Sequence, residues 1–331
     1  MTPARVLQKG QWGGLYGMAV MAVLVAAPCV ASAQSCHRLV ARVALRDDLG
    51  FLNSPVSLNG HAARMIVDTG SEGSLLSPEA AALFDTQLDH TMHTMVHGTG
   101  GEGRIVPNAV VRSFTMGGLE FGPVSMPVDA LPTVPRTDPA VEGLVGGDLL
   151  SRYDVEFDVA QGTLSFWSAG SPECSGPQGW RYIYRAVPLQ NAGERVIARV
   201  DLDGHAMQAL VDSGARSCIV STRAAERMGV TQSMLATDPG GLTSGVDGHQ
   251  QTYHWHKFGM MQIGQEQEKA PVLTVAPVQD TVDMLLGADW FAAHRVWISY
   301  RTHMLYVMPA MGSALGSAMG PVTGAPTGRT R

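Results

Sequence analysis

The chain has 331 residues, with 23 Lys and Arg against 29 Asp and Glu for a net charge of −6. That length suffices for two domains, each with its own core, and a mildly acidic chain without a long basic run argues against nucleic acid as a partner. The 38 Gly and 19 Pro, with only 16% charged residues, favour a turn-rich β fold over a helical bundle.

At the start of the chain, Arg5 and Lys9 precede an uncharged apolar run from Leu15 to Ala27, and Ala31-Ser32-Ala33 precede Gln34. This order reads as a secretory signal over residues 1–33, so the mature protein is expected to be exported, periplasmic or secreted. It would stay with the membrane only if the signal were uncleaved. Cleavage after Ala33 leaves three cysteines. A Cys36–Cys174 bridge is expected in an oxidising compartment, with Cys218, beside Ile219 and Val220, as a buried small hydrophobe.

Internal self-similarity organises the rest of the chain. An offset of 144 residues places Leu58-Asn59-Gly60-His61-Ala62 on Leu202-Asp203-Gly204-His205-Ala206, and Met65 to Ser71 on Ala209 to Ala215. An offset of 141 places Leu144-Val145-Gly146-Gly147-Asp148 on Leu285-Leu286-Gly287-Ala288-Asp289. The division is therefore a first unit with its connector over 34–184, a second over 185–308, and a Gly-, Ala- and Pro-rich tail over 309–331 with too few large apolar groups to order.

Within each unit, Asn59-Gly60 and Asp203-Gly204 predict tight hairpin turns, each followed by a short apolar strand ending at Asp68 or Asp212. Ser77-Pro78 and Ser221 predict capped helices through Leu83 and Met228, with Gly229 as a stop. Paired strands are expected at Tyr153 to Phe157 and Gly162 to Trp167, and again at Val296 to Tyr300 and Met304 to Met308. Asp148 and Asp289 read as caps of later helices. Trp167, Trp180, Trp255, Trp290 and Trp297 read as core or rim aromatics.

The chemistry lies in Asp68-Thr69-Gly70-Ser71 and Asp212-Ser213-Gly214-Ala215. Two carboxylates held together cannot both ionise cheaply, so they share a proton and act as base and acid toward a water molecule. Gly70 and Gly214 allow tight turns with amides near the carboxylates, and the hydroxyls of Thr69 and Ser213 can tie the two turns together. His90, His93, His97, His254 and His256 superficially suggest a metal, but they lack the donor set of a closed site, so neither metal nor cofactor is expected.

These loops resemble the catalytic loops of the aspartic protease superfamily, in particular the retropepsin-like enzymes. There, two apolar residues precede Asp, then Thr or Ser, then Gly. Leu144-Val145-Gly146 and Leu285-Leu286-Gly287 resemble the element that packs behind that loop. The resemblance covers about residues 40 to 167 and 185 to 308. It implies a mostly β fold of two retropepsin-like β-barrel lobes forming a pseudo-dimer within one chain, monomeric, with a polypeptide substrate in the interlobe cleft.

It also implies a glycine-bearing flap. The candidates are His97, Gly98, Gly100 and Gly101 in lobe 1 and Gly245 and Gly248 in lobe 2, none with a neighbouring tyrosine in the lobe 1 segment. Ala215 stands opposite Ser71, so a hydroxyl on one side only predicts an asymmetric pair active at mildly acidic pH. Two rival readings are a catalytically silent peptide-binding module of the cell envelope and a head-to-tail dimer pairing units of different chains.

Overall fold

The computed structural model describes residues 37–97, 103–131, 137–169, 176–244, 250–278 and 280–310. Cys36, Cys174, the signal segment and the chain beyond 310 lie outside them. Cys218 is free and buried, and no described helix is long and apolar enough to cross a membrane.

The fold is mostly β, with two repeated lobes. In lobe 1, Phe51–Leu58 turns into His61–Val67 through Asn59 and Gly60 at φ +49° and +86°. In lobe 2, Arg195–Leu202 turns into His205–Val211 through Asp203 and Gly204 at +51° and +81°. Two consecutive left-handed residues match the twist of a two-residue hairpin, which is why Asn-Gly and Asp-Gly stand there. The Asn59 side chain does more than permit its φ. Its carbonyl accepts from the Arg112 and Ser113 amides at 2.8 and 3.1 Å, and its amide donates to Phe84 O at 2.9 Å.

The two helices begin where their caps predict. Ser77 Oγ accepts from Ala80 N ahead of Pro78–Leu83, and Ser221 Oγ accepts from Ala224 N ahead of Thr222–Arg227, each at 3.1 Å. Gly229 follows at φ +88°.

The paired strands predicted near each lobe's end do form, at Asp154–Asp158 with Thr163–Ala169 and at His294–Ser299 with Met304–Pro309. They build a structure that the sequence reading did not foresee. Instead of closing each lobe separately, they join His37–Ala44 and Arg185–Ala192 in one antiparallel sheet. Its order is 37–44, 163–169, 154–158, 294–299, 304–309, 185–192, three strands from each lobe. At its centre Glu156 faces Trp297, and these positions are equivalent at the 141-residue offset. The pseudo-twofold axis therefore passes through that pair.

A strand edge left open on each lobe is thus satisfied by the other. One apolar core runs through both lobes, with Phe157 edge-on to Phe291 at 4.9 Å across the boundary. The last strand extends through Pro309, and Ala310 is buried, so order persists two residues into the segment predicted as tail.

Buried Glu156 also explains two of the tryptophans. It accepts from Trp167 Nε1 at 2.9 Å, Trp180 Nε1 at 2.8 Å and Arg295 Nε at 2.8 Å, which compensates the cost of burying its charge. Trp290 and Trp297 are core residues, whereas Trp255 is half exposed on the lobe 2 hairpin.

Candidate active site

Each aspartate leaves the end of an apolar strand. Val67 and Val211 are fully buried and pair in parallel with Val145 and Leu286, and the Asp68 and Asp212 amides donate to those same residues' carbonyls at 2.9 and 3.0 Å. The apolar-apolar-Gly strands Gly143–Val145 and Met284–Leu286 are wedged between the strand before each loop and the strand after it. Their following glycines are required by close approach. A Cβ on Gly146 would strike the backbone of Gly73, and one on Gly287 the backbone of Ser217.

The two loops meet tip to tip. A Cβ on Gly70 would collide with the Asp212 carboxylate, and one on Gly214 with the Asp68 carboxylate. Each carboxylate is cradled by its own loop. Asp68 Oδ1 accepts from Gly70 N and Ser71 N at 2.9 and 3.1 Å, and Asp212 Oδ1 accepts from Gly214 N and Ala215 N at 3.0 Å each.

Thr69 and Ser213, both fully buried, lock the loops reciprocally. Thr69 Oγ1 donates to Val211 O at 2.7 Å and accepts from Ser213 N at 3.0 Å. Ser213 Oγ donates to Val67 O at 2.6 Å and accepts from Thr69 N at 3.1 Å. Four buried backbone polar groups are thereby engaged across the lobe boundary.

Burial raises the pKa of both carboxyls. Asp212 is raised well above the ordinary value, first by burial and then by the charge of Asp68. Asp68 is raised by burial and held back by the Gly70 amide, its hydrogen bond with Asp212 and, more distantly, the charge of Arg195. The two carboxyls therefore share a proton, and Asp68 keeps a partly exposed edge. Such a pair has one base and one acid within reach of a single water.

The expected source of this inequality was wrong. Ser71 Oγ donates to Gly73 O at 2.8 Å, so it stabilises its own turn; only its amide reaches Asp68. The short Ser side chain closes a local hydrogen bond to a carbonyl two residues on more readily than it bends back to the carboxylate.

Asp148 and Asp289 are not caps. The capping positions are Gly146 and Gly287, and the aspartates lie two residues further on, within the first turn, facing the chain beyond each aspartate loop. Asp148 Oδ1 accepts from Ser74 N and Oγ at 2.8 and 2.7 Å, and the Asp289 oxygens accept from Cys218 N at 2.8 and 3.0 Å. They anchor the chain just beyond each catalytic loop. The 144-residue alignment of Ser74 with Cys218 was the available signal for this.

On the flaps, Gln87–Val96 pairs with Arg104–Met116 as a hairpin closing at Val96 and Arg104, and Gly240–Ser244 pairs with Gln250–Lys257. His97 is exposed at the loop end of the first hairpin, its ring against Gly103. Gly98, Gly100, Gly101, Gly245 and Gly248 lie outside the described residues. His90 and His93 are exposed and His256 pairs with Asp238 at 2.6 Å. Among the described residues no group of three or more His, Cys, Asp or Glu is placed to hold a metal ion.

No curated protein matched this chain. The model of a family described as Aspartyl protease matches it twice, over residues 54–149 and 198–290, one match on each lobe and both including the catalytic-type loop. With more than half of its length so matched, the chain belongs to the aspartyl protease family.

Proposed function

We propose that this protein is an exported aspartic endopeptidase that hydrolyses peptide bonds with a water activated between Asp68 and Asp212. The observation that carries the reading is the reciprocal seating of the two loops, each glycine against the opposite carboxylate, with burial raising both acids. The ionised member of the pair takes a proton from the water as it attacks the scissile carbonyl, and the protonated member supplies one to the carbonyl oxygen. Proton transfer to the amide nitrogen then expels the amine. Thr69, Gly70, Ser71, Ser213, Gly214 and Ala215 hold this geometry without entering the chemistry. Both aspartates are on one chain, so a monomer suffices, and the leader before Gln34 supports export.

Activity requires one proton on the pair. It therefore falls as pH drops through the lower macroscopic value and again as pH rises through the upper one. With both acids raised, the optimum is mildly acidic. The test is cleavage of an unfolded polypeptide across pH by the native chain and by Asp68→Ala. Loss of a catalytic acid or base costs about 10²–10⁴-fold or more in rate. No turnover by the native chain at any pH would leave a silent peptide-binding module. Light scattering on the mature chain separates the monomer from a head-to-tail dimer.

A further inference from the structure

Glu72 and Arg216 occupy equivalent positions, each four residues after its aspartate, and both are exposed. The repeat thus places opposite charges at the two symmetry-related flanks of the dyad. Each is approached by a hairpin turn of the other lobe, and here too the chemistry differs. At the Glu72 flank, Arg195 brings Nε to 3.5 Å from Glu72 and Nη1 to 2.6 Å from Asp280. Gly193 abuts the Glu72 side chain, and Glu194 accepts from Ser151 Oγ at 2.8 Å. Two carboxylates thus share one guanidinium, and with exposed Glu194 beside them this flank carries net negative charge, the Glu72 side chain being 63% exposed.

At the other flank, Phe51 stands where Arg195 stands at the 144-residue offset. Arg216 Nε donates to Leu49 O at 2.8 Å, and its guanidinium lies 5.5 Å from the Phe51 ring centroid. The nearby acids are engaged elsewhere. Asp47 accepts from Gly50 N at 2.7 Å, and Asp48 accepts from Asn53 Nδ2 at 2.8 Å and faces Arg64 at 3.6 Å. Arg216 has no carboxylate partner among the described residues. It is held by one carbonyl acceptor and one ring, and its side chain is otherwise exposed.

We propose that the groove across the dyad is electrostatically polarised. Its substrate is a polypeptide segment with a basic side chain on the Glu72 flank of the scissile bond and an acidic side chain on the Arg216 flank. This rests on reading Asp68 and Asp212 as the peptide-cleaving pair. An exposed Arg fork seated on an aromatic ring suits a carboxylate, and exposed Glu72, whose guanidinium neighbour is shared with Asp280, suits a Lys or Arg. Partly solvated pairs contribute modestly, and like charges in the reversed order repel.

The test uses four peptides with one apolar centre: flanks basic-acidic, acidic-basic, both basic and both acidic. Each is measured for kcat/KM with the native chain and for binding to the full-length Asp68→Asn variant by fluorescence anisotropy. One mixed order should exceed its reverse by about five- to tenfold at low salt, the gap shrinking as salt rises. Arg216→Gln, which keeps a donor, should lose the acidic preference at one flank only. Glu72→Gln should lose the basic preference at the other. Equal values for all four peptides in both assays, or no binding and no cleavage of any, overturns the polarity. Cleavage without charge preference overturns it and leaves the protease reading standing, whereas an ordered charge preference in binding without cleavage supports the polarity and removes that reading.

Discussion

Lobe 1 and lobe 2 present the same aspartate on the same frame, yet they brace it with different atoms. Behind the first loop, Ser74 gives Asp148 both its amide and its hydroxyl, and the same hydroxyl accepts from Gly146 N at 3.0 Å. Behind the second, Cys218 gives Asp289 only its amide, and burial together with the nearby Asp289 charge pushes the thiol pKa far up, so it packs as a neutral apolar group. One geometry is reached by a polar network in one lobe and by packing in the other. The backbone anchor is the shared requirement, and the side chain is free to vary around it.

The largest effect should come from the grip that joins the lobes, where the two sides are most alike. Thr69→Val removes the hydroxyl bonded to Ser213 N and Val211 O, and Ser213→Ala the hydroxyl bonded to Thr69 N and Val67 O, all in buried residues. Each variant should lose about 2–5 kcal/mol in guanidinium unfolding. The double variant should lose less than the sum, because opening either half frees the other. Strict additivity would show the halves to be independent.

Next come the anchors. Asp148→Ala and Asp289→Ala should each cost about 1–3 kcal/mol, with Asp148→Ala the larger because a hydroxyl bond is lost with the amide bond. The opposite order, measured in the same unfolding experiment, would make the thiol side the more tightly braced.

A smaller effect separates the members of the dyad. Burial raises both carboxyls, so folding favours their protonated forms. That contribution is complete below the ordinary carboxylate range and is lost as pH rises through the raised folded values. Asp212→Asn removes the charge conflict while keeping an oxygen for Gly214 N and Ala215 N. Its Tm should exceed that of the native chain at pH 7 by a few degrees, at roughly 2–4 °C per kcal/mol, with the gap closing below about pH 4. A gap that widens toward acid pH would reverse the assignment of the raised acids.

The smallest effect tests the comparison directly. Cys218→Ser gives lobe 2 the donor that lobe 1 has, and Asp289 is placed to accept it, so its stability should stay within about 1 kcal/mol of native. Ser74→Cys, which weakens the acceptor for Gly146 N, should cost more. Equal losses in thermal denaturation would mean that side-chain volume, not the hydroxyl, decides both sites.

Much of this was legible in the residues because the repeat compares the chain with itself. The turns at Asn59-Gly60 and Asp203-Gly204, the caps at Ser77 and Ser221, and the apolar strands ending at Asp68 and Asp212 are local features set by φ, by nearby donors and by periodicity. Thr69 and Ser213 were legible as ties because a buried hydroxyl beside an interface must find a partner. Asp148 and Asp289 were misread as caps because an Asp near a helix start usually serves its own helix, and nothing local shows a backbone amide 74 or 71 residues away. The Ser71 hydroxyl was misassigned for the converse reason, since a partner two residues on was nearer than the carboxylate.

The sequence by itself determined that there are two equivalent units, that each ends a buried strand in Asp, and that the halves differ at Ser71 and Ala215. Only the tertiary structure decided how the units share strands. Hydrogen bonding between strand edges depends on which edges are left open after each lobe has folded, and Glu156 facing Trp297 is an outcome of that docking. The same holds for the inequality of the two acids. It arises from burial, from a facing carboxylate and from Arg195, contributed by a turn of the other lobe, and such through-space fields have no signature in the order of residues around Asp68.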